Sequence, residues 1–273
     1  MKPICGQNDL TRFAPEITGA IGTIDIAHPA GTFAPSPASV IAVQAIADNR
    51  RLLNGTGIDW GCGTGCMTIA AARVPAVGRV IGLDIVAANV ECARSNAALN
   101  GVAEKTEFIV ADSYSPASGD DCRRLELLRG RVDFIVANPP ASSGDDGFRY
   151  RRVVLEGAPQ FLAPGGIVFL NISWQYGPQR IARLVAEVPA FRHRGAIAST
   201  DWVPFDLGRP DLLECLEEYA MEESRGGLEY SFRLADAAGA KTMNARAALD
   251  RFHGTGTSPL SKWQTHLFEF GGS

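Results

Sequence analysis

Short apolar runs and longer amphipathic stretches alternate along most of the chain. Seven segments predict strands, at 56–60, 79–83, 107–111, 132–137, 167–172, 191–199 and 263–270. Between them, apolar residues recur every three or four positions, as in helices that pack against a sheet by one face. This order predicts an α/β fold with a doubly wound, mostly parallel sheet of seven strands.

Glycines at alternate positions follow the first of these strands. The sequence there is Asp59-Trp60-Gly61-Cys62-Gly63-Thr64-Gly65, and an apolar helical run comes next. Glycines permit a tight turn with positive φ and let a ligand lie against bare backbone. The dinucleotide-binding fingerprint has glycines at its first, third and sixth places, whereas the sixth place here is Cys66. The loop therefore indicates a different cofactor, with an ordinary strand-to-helix turn as the alternative.

Acidic residues end the next two strands. Asp84 closes the second strand, 25 positions after Asp59, and Asp112 closes the third. A carboxylate at the end of the second strand can accept hydrogen bonds from both hydroxyls of a ribose. Helix capping is the alternative for Asp84, and turn capping is the alternative for Asp112.

Two prolines follow the fourth strand, in Asn138-Pro139-Pro140. Proline continues neither a strand ladder nor a helix, so this loop is rigid at the sheet edge where open α/β folds bind ligands. Such a loop can hold the Asn138 side chain and the Pro139 carbonyl as two acceptors at fixed angles. The pair suits a planar –NH2 group, which it would orient toward an electrophile. A stiff surface turn is the alternative.

These motifs resemble those of class I S-adenosylmethionine (SAM) methyltransferases. Asp-x-Gly-x-Gly-x-Gly at 59–65 resembles the first motif of that family. Asn-Pro-Pro at 138–140 and Trp-Gln-x-Gly at 174–177 resemble the HemK-type enzymes, which methylate glutamine in release factors. The resemblance covers about 35–185. It implies SAM as the cofactor, methyltransferase activity, a Rossmann-like sheet and a last strand antiparallel to the rest.

The resemblance also implies roles for individual residues. It implies that Asp59 and the glycines contact the methionine end of SAM, that Asp84 contacts the ribose, and that Asp112 contacts the adenine. The complete set for the cofactor is Phe33, Pro35, Asp59, Gly61, Gly63, Gly65, Asp84, Ile85, Asp112, Ser113 and Asn138. The set that orients the methyl acceptor is Asn138, Pro139 and Pro140.

The chain departs from the HemK type in two places. The aromatic residue that usually follows Asn-Pro-Pro is Ala141, with Phe148 and Tyr150 as candidate replacements. Residues 200–262 separate the last two strands and include a predicted amphipathic helix, 210–223, whose glutamates we expect to face water. We expect 1–50 to cover the cleft, with one short strand at 21–26. We expect 51–273 to form the methyltransferase domain, with 200–262 as an insertion that shapes the substrate pocket.

The predicted acceptor is a planar amide or amine nitrogen. Protein glutamine is favoured. An RNA base amine and a small metabolite are alternatives, as is a catalytically silent SAM-binding module. The formal net charge of −4 is a poor match for a large RNA or DNA footprint. The basic cluster at Arg149, Arg151 and Arg152 is a candidate for phosphate contact, but a solvated helix start is favoured.

Composition sets the remaining expectations. The four histidines are dispersed, so we expect no metal site. The spacing of the six cysteines suggests neither disulfides nor zinc binding, and a reducing cytoplasm is the simplest location. No apolar run reaches membrane-spanning length.

Overall fold

A central sheet with helices on both faces dominates the fold. The computed structural model describes residues 10–142, 144–234 and 241–271. Its strands are β1 (Leu10–Phe13), β2 (Ile24–Ala27), β3 (Gly55–Trp60), β4 (Val77–Asp84), β5 (Thr106–Asp112), β6 (Ser115–Pro116), β7 (Val132–Ala137), β8 (Leu162–Asn171), β9 (Phe191–Ser199), β10 (Val203–Pro204), β11 (Phe232–Arg233), β12 (Thr242–Met243), β13 (Leu260–Ser261) and β14 (Gln264–Phe270). Its α-helices are α1 (Pro15–Thr18), α2 (Pro37–Asp48), α3 (Cys66–Ala72), α4 (Ala87–Leu99), α5 (Gly119–Glu126), α6 (Arg149–Gly157), α7 (Gly177–Glu187), α8 (Pro210–Ser224) and α9 (Ala245–Thr255). None of these helices has the length and apolar character needed to cross a membrane.

The main sheet has the strand order β6-β5-β4-β3-β7-β8-β14-β9. β3 pairs in parallel with β4 and β7, and so do β4 with β5 and β7 with β8. β14 runs antiparallel to both β8 and β9. The prediction of seven mostly parallel strands with an antiparallel last strand is confirmed. β6 is an additional edge strand, and its two residues are too few to show any periodicity.

Both faces of this sheet are buried, which explains the almost continuous apolar strands. In β7, Ile135 lies in the core on one face, whereas Phe134 and Val136 lie in the core on the other. Helices α2, α3 and α4 contribute to the second core, and α5 to α9 contribute to the first. Full burial of each large aliphatic side chain contributes about 1.5–3 kcal/mol.

The parallel strands bring the predicted site residues to one edge of the sheet. Trp60 at the end of β3 is the register partner of both Leu83 and Ala137. The glycine loop, Asp84 and Asn138 therefore follow their strands at the same level. Ligands in open α/β sheets bind at this carboxyl edge.

The N-terminal segment contains a hairpin where the sequence predicts one short strand. β1 and β2 pair antiparallel, and side chains of α4 bond the free edge of β2. Asn96 bonds both the N–H and the C=O of Ala27 at 2.9 Å. Asn100 bonds the N–H of Asp25 at 3.0 Å and its C=O at 2.7 Å. Asn96 and Asn100 lie one helical turn apart on α4. This distance matches the spacing of their partners Ala27 and Asp25, which lie two residues apart on β2. Residues 1–9 of the predicted segment lie outside the described residues.

The residues between β9 and β14 form a small sheet of their own, in the order β10-β13-β11-β12. The buried side chain of Arg180 on α7 ties this region to the main domain. Its guanidinium lies 3.6 Å from the centre of the Tyr230 ring and donates to the Glu229 carbonyl at 2.8 Å. Within the region, Glu223 accepts from the backbone N–H groups of Tyr230 at 2.7 Å and Ala245 at 2.9 Å. Buried charges therefore help to hold it against the main domain.

Two histidines distant in sequence meet on β9 and β14. His193 Nε2 lies 3.0 Å from His266 Nδ1, and the two rings stack with centroids 5.2 Å apart. Burial, assisted by the charges of His193 and Arg151, lowers the pKa of His266 from 6.5 to about 4. The folded protein therefore binds this proton more weakly than the unfolded chain does. The contribution of His266 to the free energy of unfolding is fully present above pH 6.5, and it falls by about 3 kcal/mol as the pH drops toward 4.

We expect His266→Leu to reduce the acid sensitivity of folding. Urea unfolding between pH 7.5 and 4.5 measures the free energy of unfolding of wild type and variant, and the variant should lose less of it on acidification. His253 is exposed on α9 and provides the matched control, because His253→Leu should retain the wild-type pH dependence. An identical pH dependence in all three proteins would contradict the assignment to His266.

Candidate active site

The glycine loop and the Asn-Pro-Pro loop lie in one cleft at the carboxyl edge of the sheet. The cleft has a volume of about 970 Å³, at the upper end of the range for small-molecule sites. Gly61 and Gly63 line it, and so do Asn138, Pro139 and Pro140. The hypothesis of a shared donor and acceptor site requires these two loops to meet, and in the structure they do.

The three glycines of the loop all have positive φ, with 69° for Gly61, 53° for Gly63 and 92° for Gly65. A Cβ on Gly61 would meet nothing within 4 Å, so bare backbone faces the cleft there. A Cβ on Gly63 would come within 2.9 Å of the Phe33 ring. Gly65 caps α3, and a Cβ there would lie 3.1 Å from Ala93. Gly65 therefore shapes the loop from behind, and its predicted cofactor contact stays a prediction.

Asp59 is fully buried beneath the loop and does not line the cleft. Its Oδ2 accepts from the Thr68 hydroxyl on α3 at 2.7 Å, while its buried Oδ1 has no partner among the described residues. Burial, with a smaller effect of the Asp84 charge, raises the pKa of Asp59 to about 7. An unpaired buried carboxylate oxygen is costly unless a donor or cation reaches it. The position therefore fits a cationic group bound above the loop.

Asp84 lines the cleft and is held by three donors. Its Oδ2 accepts from the Gly63 N–H at 2.8 Å. Its Oδ1 accepts from the Val86 N–H at 2.9 Å and from the Asn89 side chain at 3.1 Å. A carboxylate has about four acceptor positions, so roughly one remains, on Oδ2. One ribose hydroxyl fits there, and a second would have to share Oδ1. The N-cap of α4 is Val86, so Asp84 does not cap that helix.

Asp112 and Ser113 line the cleft at the end of β5. Ser113 has a φ of 57°, which non-glycine residues adopt rarely. Its hydroxyl accepts from Trp60 Nε1 at 2.9 Å, which fixes both side chains. Ile85 also lines the cleft and is 64% exposed. Together these residues offer polar atoms and an apolar surface beside the strand ends, as a purine ring requires.

The N-terminal segment closes one side of the cleft. The Phe33 N–H bonds the Asn89 side chain at 2.9 Å, and the Phe33 carbonyl accepts from the Thr64 hydroxyl at 3.0 Å. The segment is thereby tied to both α4 and the glycine loop. Phe33 lines the cleft and is 44% exposed, whereas Pro35 does not line it.

Asn138 is held by a chain of side chains from neighbouring strands. Thr265 on β14 donates to Asn171 Oδ1 at 2.5 Å, and Asn171 Nδ2 donates to Asn138 Oδ1 at 2.9 Å. The Asn171 amide also bonds the Ala38 carbonyl at 2.7 Å. An amide oxygen has two lone pairs, so Asn138 Oδ1 keeps one for a ligand while its orientation is set in advance. Sequence reasoning assigned no role to Asn171, although it is the single polar residue in an apolar strand.

Arg151 is buried beside the Asn-Pro-Pro loop, so the prediction of a solvated basic cluster is wrong for this residue. It is 4% exposed, and its guanidinium lies 4.5 Å from the centre of the Tyr176 ring. It donates to the Pro140 carbonyl at 3.3 Å and, more weakly, to the Pro139 carbonyl at 3.5 Å. Carbonyl dipoles and aromatic faces replace the lost water. Of the three clustered arginines, only Arg149 is exposed.

Tyr150 lines the cleft, whereas Phe148 does not. Phe148 is fully buried and packs edge-on against Tyr176. Tyr150 and Trp60 both line the cleft, with ring centroids 6.4 Å apart. Of the two candidate replacements for the missing aromatic residue at Ala141, only Tyr150 is therefore in place.

Gln175 is a cleft residue to which sequence reasoning gave no role, although the Trp-Gln-x-Gly motif contains it. Its side chain lines the cleft but is only 2% exposed. Its Oε1 accepts from the buried Ser261 hydroxyl at 2.7 Å. This bond fixes the Gln175 side chain at the wall of the cleft, where its –NH2 group can donate to a ligand.

The cleft residues fit SAM. SAM combines an electrophilic methyl on a sulfonium with an ammonium, a carboxylate, a ribose and an adenine. Asp59 would attract the cationic end from behind the glycine loop, the open position on Asp84 would take a ribose hydroxyl, and the surface beside Ile85 would take the adenine. These assignments are chemical matches to the donor set, and each remains a prediction for the residue concerned.

Comparisons with known proteins agree with this fit. The model of the methyltransferase small domain family matches residues 25–193, more than half of the chain. A release factor glutamine methyltransferase from Thermodesulfovibrio yellowstonii is 25% identical over 157 residues, 52% of this chain and 56% of that protein. A ribosomal RNA small subunit methyltransferase C from Alcanivorax borkumensis is 31% identical over 170 residues, 59% of this chain and 47% of that protein. The chain thus spans about half the length of the curated relatives it matches.

A solved structure shares the fold. The crystal structure of P. horikoshii TYW2 in complex with MeSAdo matches with a TM-score of 0.51 at 12% identity, covering 98% of this chain and 74% of that one. At this identity the match concerns the fold alone. Family model, strand order and cleft lead to the same assignment. The chain belongs to the methyltransferase small domain family and has the class I methyltransferase fold.

Proposed function

We propose that this chain is a SAM-dependent methyltransferase, that it acts on a planar amide or amine nitrogen, and that a protein glutamine side chain is its favoured acceptor. The observation that carries the proposal is Asn138, whose Oδ1 is oriented by Asn171 in the cleft that Gly61 and Gly63 also line. The cysteine spacing keeps the cytoplasm as the proposed location.

The proposed role of the Asn-Pro-Pro loop follows from the chemistry of an amide. Its nitrogen is a weak nucleophile because the lone pair is delocalised. Asn138 Oδ1 and the Pro139 carbonyl would accept its two N–H groups and so fix the direction of the nitrogen. Arg151 donates to the Pro139 and Pro140 carbonyls and holds this loop in place. Orientation and preorganised dipoles are the main contributions of the protein, and no covalent intermediate is needed.

Gln175 supports a carboxamide acceptor. A carboxamide presents an –NH2 group beside a carbonyl oxygen. Asn138 and Pro139 offer acceptors for the first, and the Gln175 –NH2 group offers a donor for the second. An RNA base amine also has a ring acceptor beside it, but the net charge of −4 disfavours its phosphates. Glutamine in a protein is therefore preferred to an RNA base.

Transfer of a labelled methyl group tests this proposal. The purified chain is incubated with methyl-labelled SAM and cell extract, and the products are separated into protein, RNA and small molecules. We expect the label in protein, as methylated glutamine after enzymatic digestion. Label confined to RNA or small molecules would overturn the glutamine assignment. Calorimetric SAM binding with no label in any fraction would instead establish a catalytically silent SAM-binding module.

A further inference from the structure

Asn171 is the centre of a row of polar side chains that crosses three strands. It ends β8, which lies between β7 and β14, and it is only 3% exposed in an otherwise apolar strand. Leu170 is the register partner of Ala137, and Asn171 is the register partner of Thr265. Asn138 follows Ala137 directly, so the register places Asn138 and Thr265 on either side of Asn171.

The partners of the Asn171 amide fix which of its two ends faces which neighbour. The Ala38 carbonyl can only accept a hydrogen bond, so the –NH2 group of Asn171 must face it, at 2.7 Å. The second hydrogen of that group donates to Asn138 Oδ1 at 2.9 Å. The Asn171 oxygen accepts from the Thr265 hydroxyl at 2.5 Å. A reversed amide would place the Asn171 oxygen against the oxygen of Ala38.

The orientation of Asn138 follows from that of Asn171. Because Asn171 presents an N–H group, Asn138 must present its oxygen, which keeps one lone pair for a ligand. An Asn138 amide turned by half a rotation would set its –NH2 group against that of Asn171 and leave both donors unsatisfied. A backbone carbonyl of α2 thus determines, through one buried amide, that Asn138 offers an acceptor to the cleft.

The Ala38 carbonyl is itself held in a fixed place. It belongs to the first turn of α2, where Ser36 and Ser39 form a capping box. Ser36, Ala38 and Ser39 all line the cleft. Asn171 therefore links the wall formed by the start of α2 to the loop that carries Asn138.

The expectation that the glutamates of α8 face water is wrong for two of them. Glu222 pairs with Arg180 at 2.9 Å, and Glu223 accepts from the backbone N–H of Tyr230 at 2.7 Å. These carboxylates hold the insertion to the main domain. The side-chain amides of the row, in contrast, have uncharged partners throughout the described residues. Neutral groups therefore set the polarity of the cleft at this point.

We propose that Asn171 is a positioning residue for methyl transfer, which acts by holding the Asn138 amide with its oxygen toward the acceptor nitrogen. This inference rests on the proposed function, because Asn138 orients the acceptor there. The arrangement favours an acceptor that bears an N–H group, since only such a group can donate to Asn138. Preorganisation of this kind contributes to the rate of transfer and little to cofactor binding.

Asn171→Asp tests the inference with almost no change of shape. The carboxylate can still accept from Thr265, but it donates to neither Ala38 nor Asn138, and Asn138 can bond it only by turning its –NH2 group toward it. With the full chain, labelled SAM and the protein fraction of an extract, we expect kcat to fall about ten- to a hundredfold. The KM for SAM and calorimetric SAM binding should stay within about threefold of wild type.

A double-mutant cycle separates positioning from a general structural role. If Asn171 acts through Asn138, the variant Asn138→Ala/Asn171→Asp should transfer methyl groups within about twofold of the rate of Asn138→Ala alone. Losses that multiply in the double variant would overturn the inference, because Asn171 would then act independently of Asn138.

Thr265 provides a milder pair of variants that keeps Asn171 in place. Thr265→Val removes the hydroxyl that fixes the Asn171 oxygen and should lower kcat about three- to tenfold, whereas Thr265→Ser retains the hydroxyl and should restore most of the rate. Thr18→Val is the matched control. Thr18 is equally buried, but its hydroxyl bonds the Ala14 carbonyl at 3.1 Å and it does not line the cleft. Equal losses in Thr265→Val and Thr18→Val would contradict the inference.

The same measurements distinguish this inference from the proposed function. Methylated glutamine together with multiplying losses in the cycle would overturn the role of Asn171 alone. Label confined to RNA or small molecules would overturn glutamine as the acceptor, and the cycle measured on that fraction would still decide the role of Asn171. No label in any fraction, with SAM bound, would overturn both.

Discussion

Asn138→Ala is expected to lower methyl transfer by about a hundredfold or more while SAM affinity stays close to normal. Removal of one preorganised group at a reacting centre typically costs about 10²–10³ in rate. The substitution removes one of two acceptors that would orient a weak nucleophile, and it leaves the glycine loop and Asp84 in place. Single-turnover transfer to the labelled protein fraction measures the rate, and calorimetry measures SAM binding.

Asn49→Ala is the matched control for this experiment. Asn49 is also half-buried and bonds the Ala45 carbonyl at 3.0 Å, but it does not line the cleft. Its variant should transfer methyl groups at the wild-type rate. Thermal unfolding of both variants checks that neither has lost its fold. If Asn138→Ala turns over as fast as wild type, the amine-orienting role of the loop is wrong.

The main sheet was predictable because its strands are buried on both faces. The run 132–137 coincides with β7, since an apolar stretch bounded by polar turns leaves little choice. The predicted strand 191–199 also coincides with β9, although β9 is a more polar strand at the edge of the sheet. The sequence also predicts a helix over 87–99, with apolar residues on one face and Asn100-Gly101 as its end, and this helix coincides with α4. The local sequence was therefore sufficient to predict these elements.

The N-terminal hairpin could not be predicted because its stability depends on distant side chains. β2 is bonded along its edge by Asn96 and Asn100, about seventy positions further along the chain. An asparagine on a helix is ordinarily a solvated residue, and nothing in the local sequence indicates that a strand will dock there. β6 could not be predicted for a different reason, since a strand of two residues is too short to show a hydrophobic period.

The two loops of the site were predictable, but their supports were not. Glycine and proline have strong backbone preferences that are known from the residue type alone, so Gly61 and Pro139 could be placed at strand ends. Arg151 stands among charged and aromatic neighbours and looks solvated, yet the carbonyls of a separate loop bury it. Thr265 orients Asn138 through Asn171, although Thr265 lies 94 positions after Asn171 and Asn171 lies 33 positions after Asn138. Such contacts depend on tertiary structure alone.

The glycine motif also combines residues that the structure separates by function. Gly61 and Gly63 line the cleft, whereas Gly65 and Asp59 lie behind it. The spacing of the motif alone does not distinguish a residue that contacts a ligand from a residue that shapes the loop. Asp59 is more informative than Gly65, because one oxygen of its carboxylate has no partner in the described part of the chain and its pKa is strongly raised.

Asp59→Asn is expected to stabilise the cofactor-free protein above pH 7 and to weaken SAM binding. Burial raises the pKa of Asp59 from 3.8 to about 7, so the folded state favours the protonated acid. The stability that this proton supplies is fully present below pH 3.8 and is lost as the pH rises through 7. By pH 8 the loss amounts to about 4 kcal/mol. Asparagine is neutral and of similar shape, and its oxygen can still accept from Thr68.

Because asparagine at position 59 is uncharged, Asp59→Asn should also weaken the binding of a cationic cofactor. A buried carboxylate attracts a positive group that an amide cannot, and we expect a loss of SAM affinity of about tenfold or more. SAM binding to wild type near pH 7 should also release a proton from Asp59, because a nearby cation favours the ionised acid. Asp59→Asn should abolish that release, which calorimetry in buffers of different ionisation enthalpy detects.

Urea unfolding at pH 5 and pH 8 completes the test of Asp59. The stability difference between Asp59→Asn and wild type should grow with pH, whereas Asp48→Asn, at an exposed position on α2, should track wild type at both values. A constant difference would show that Asp59 does not titrate in this range. Unchanged SAM affinity together with an unchanged proton release would remove Asp59 from the methionine end of the cofactor, and its buried carboxylate would then serve the glycine loop and α3 alone.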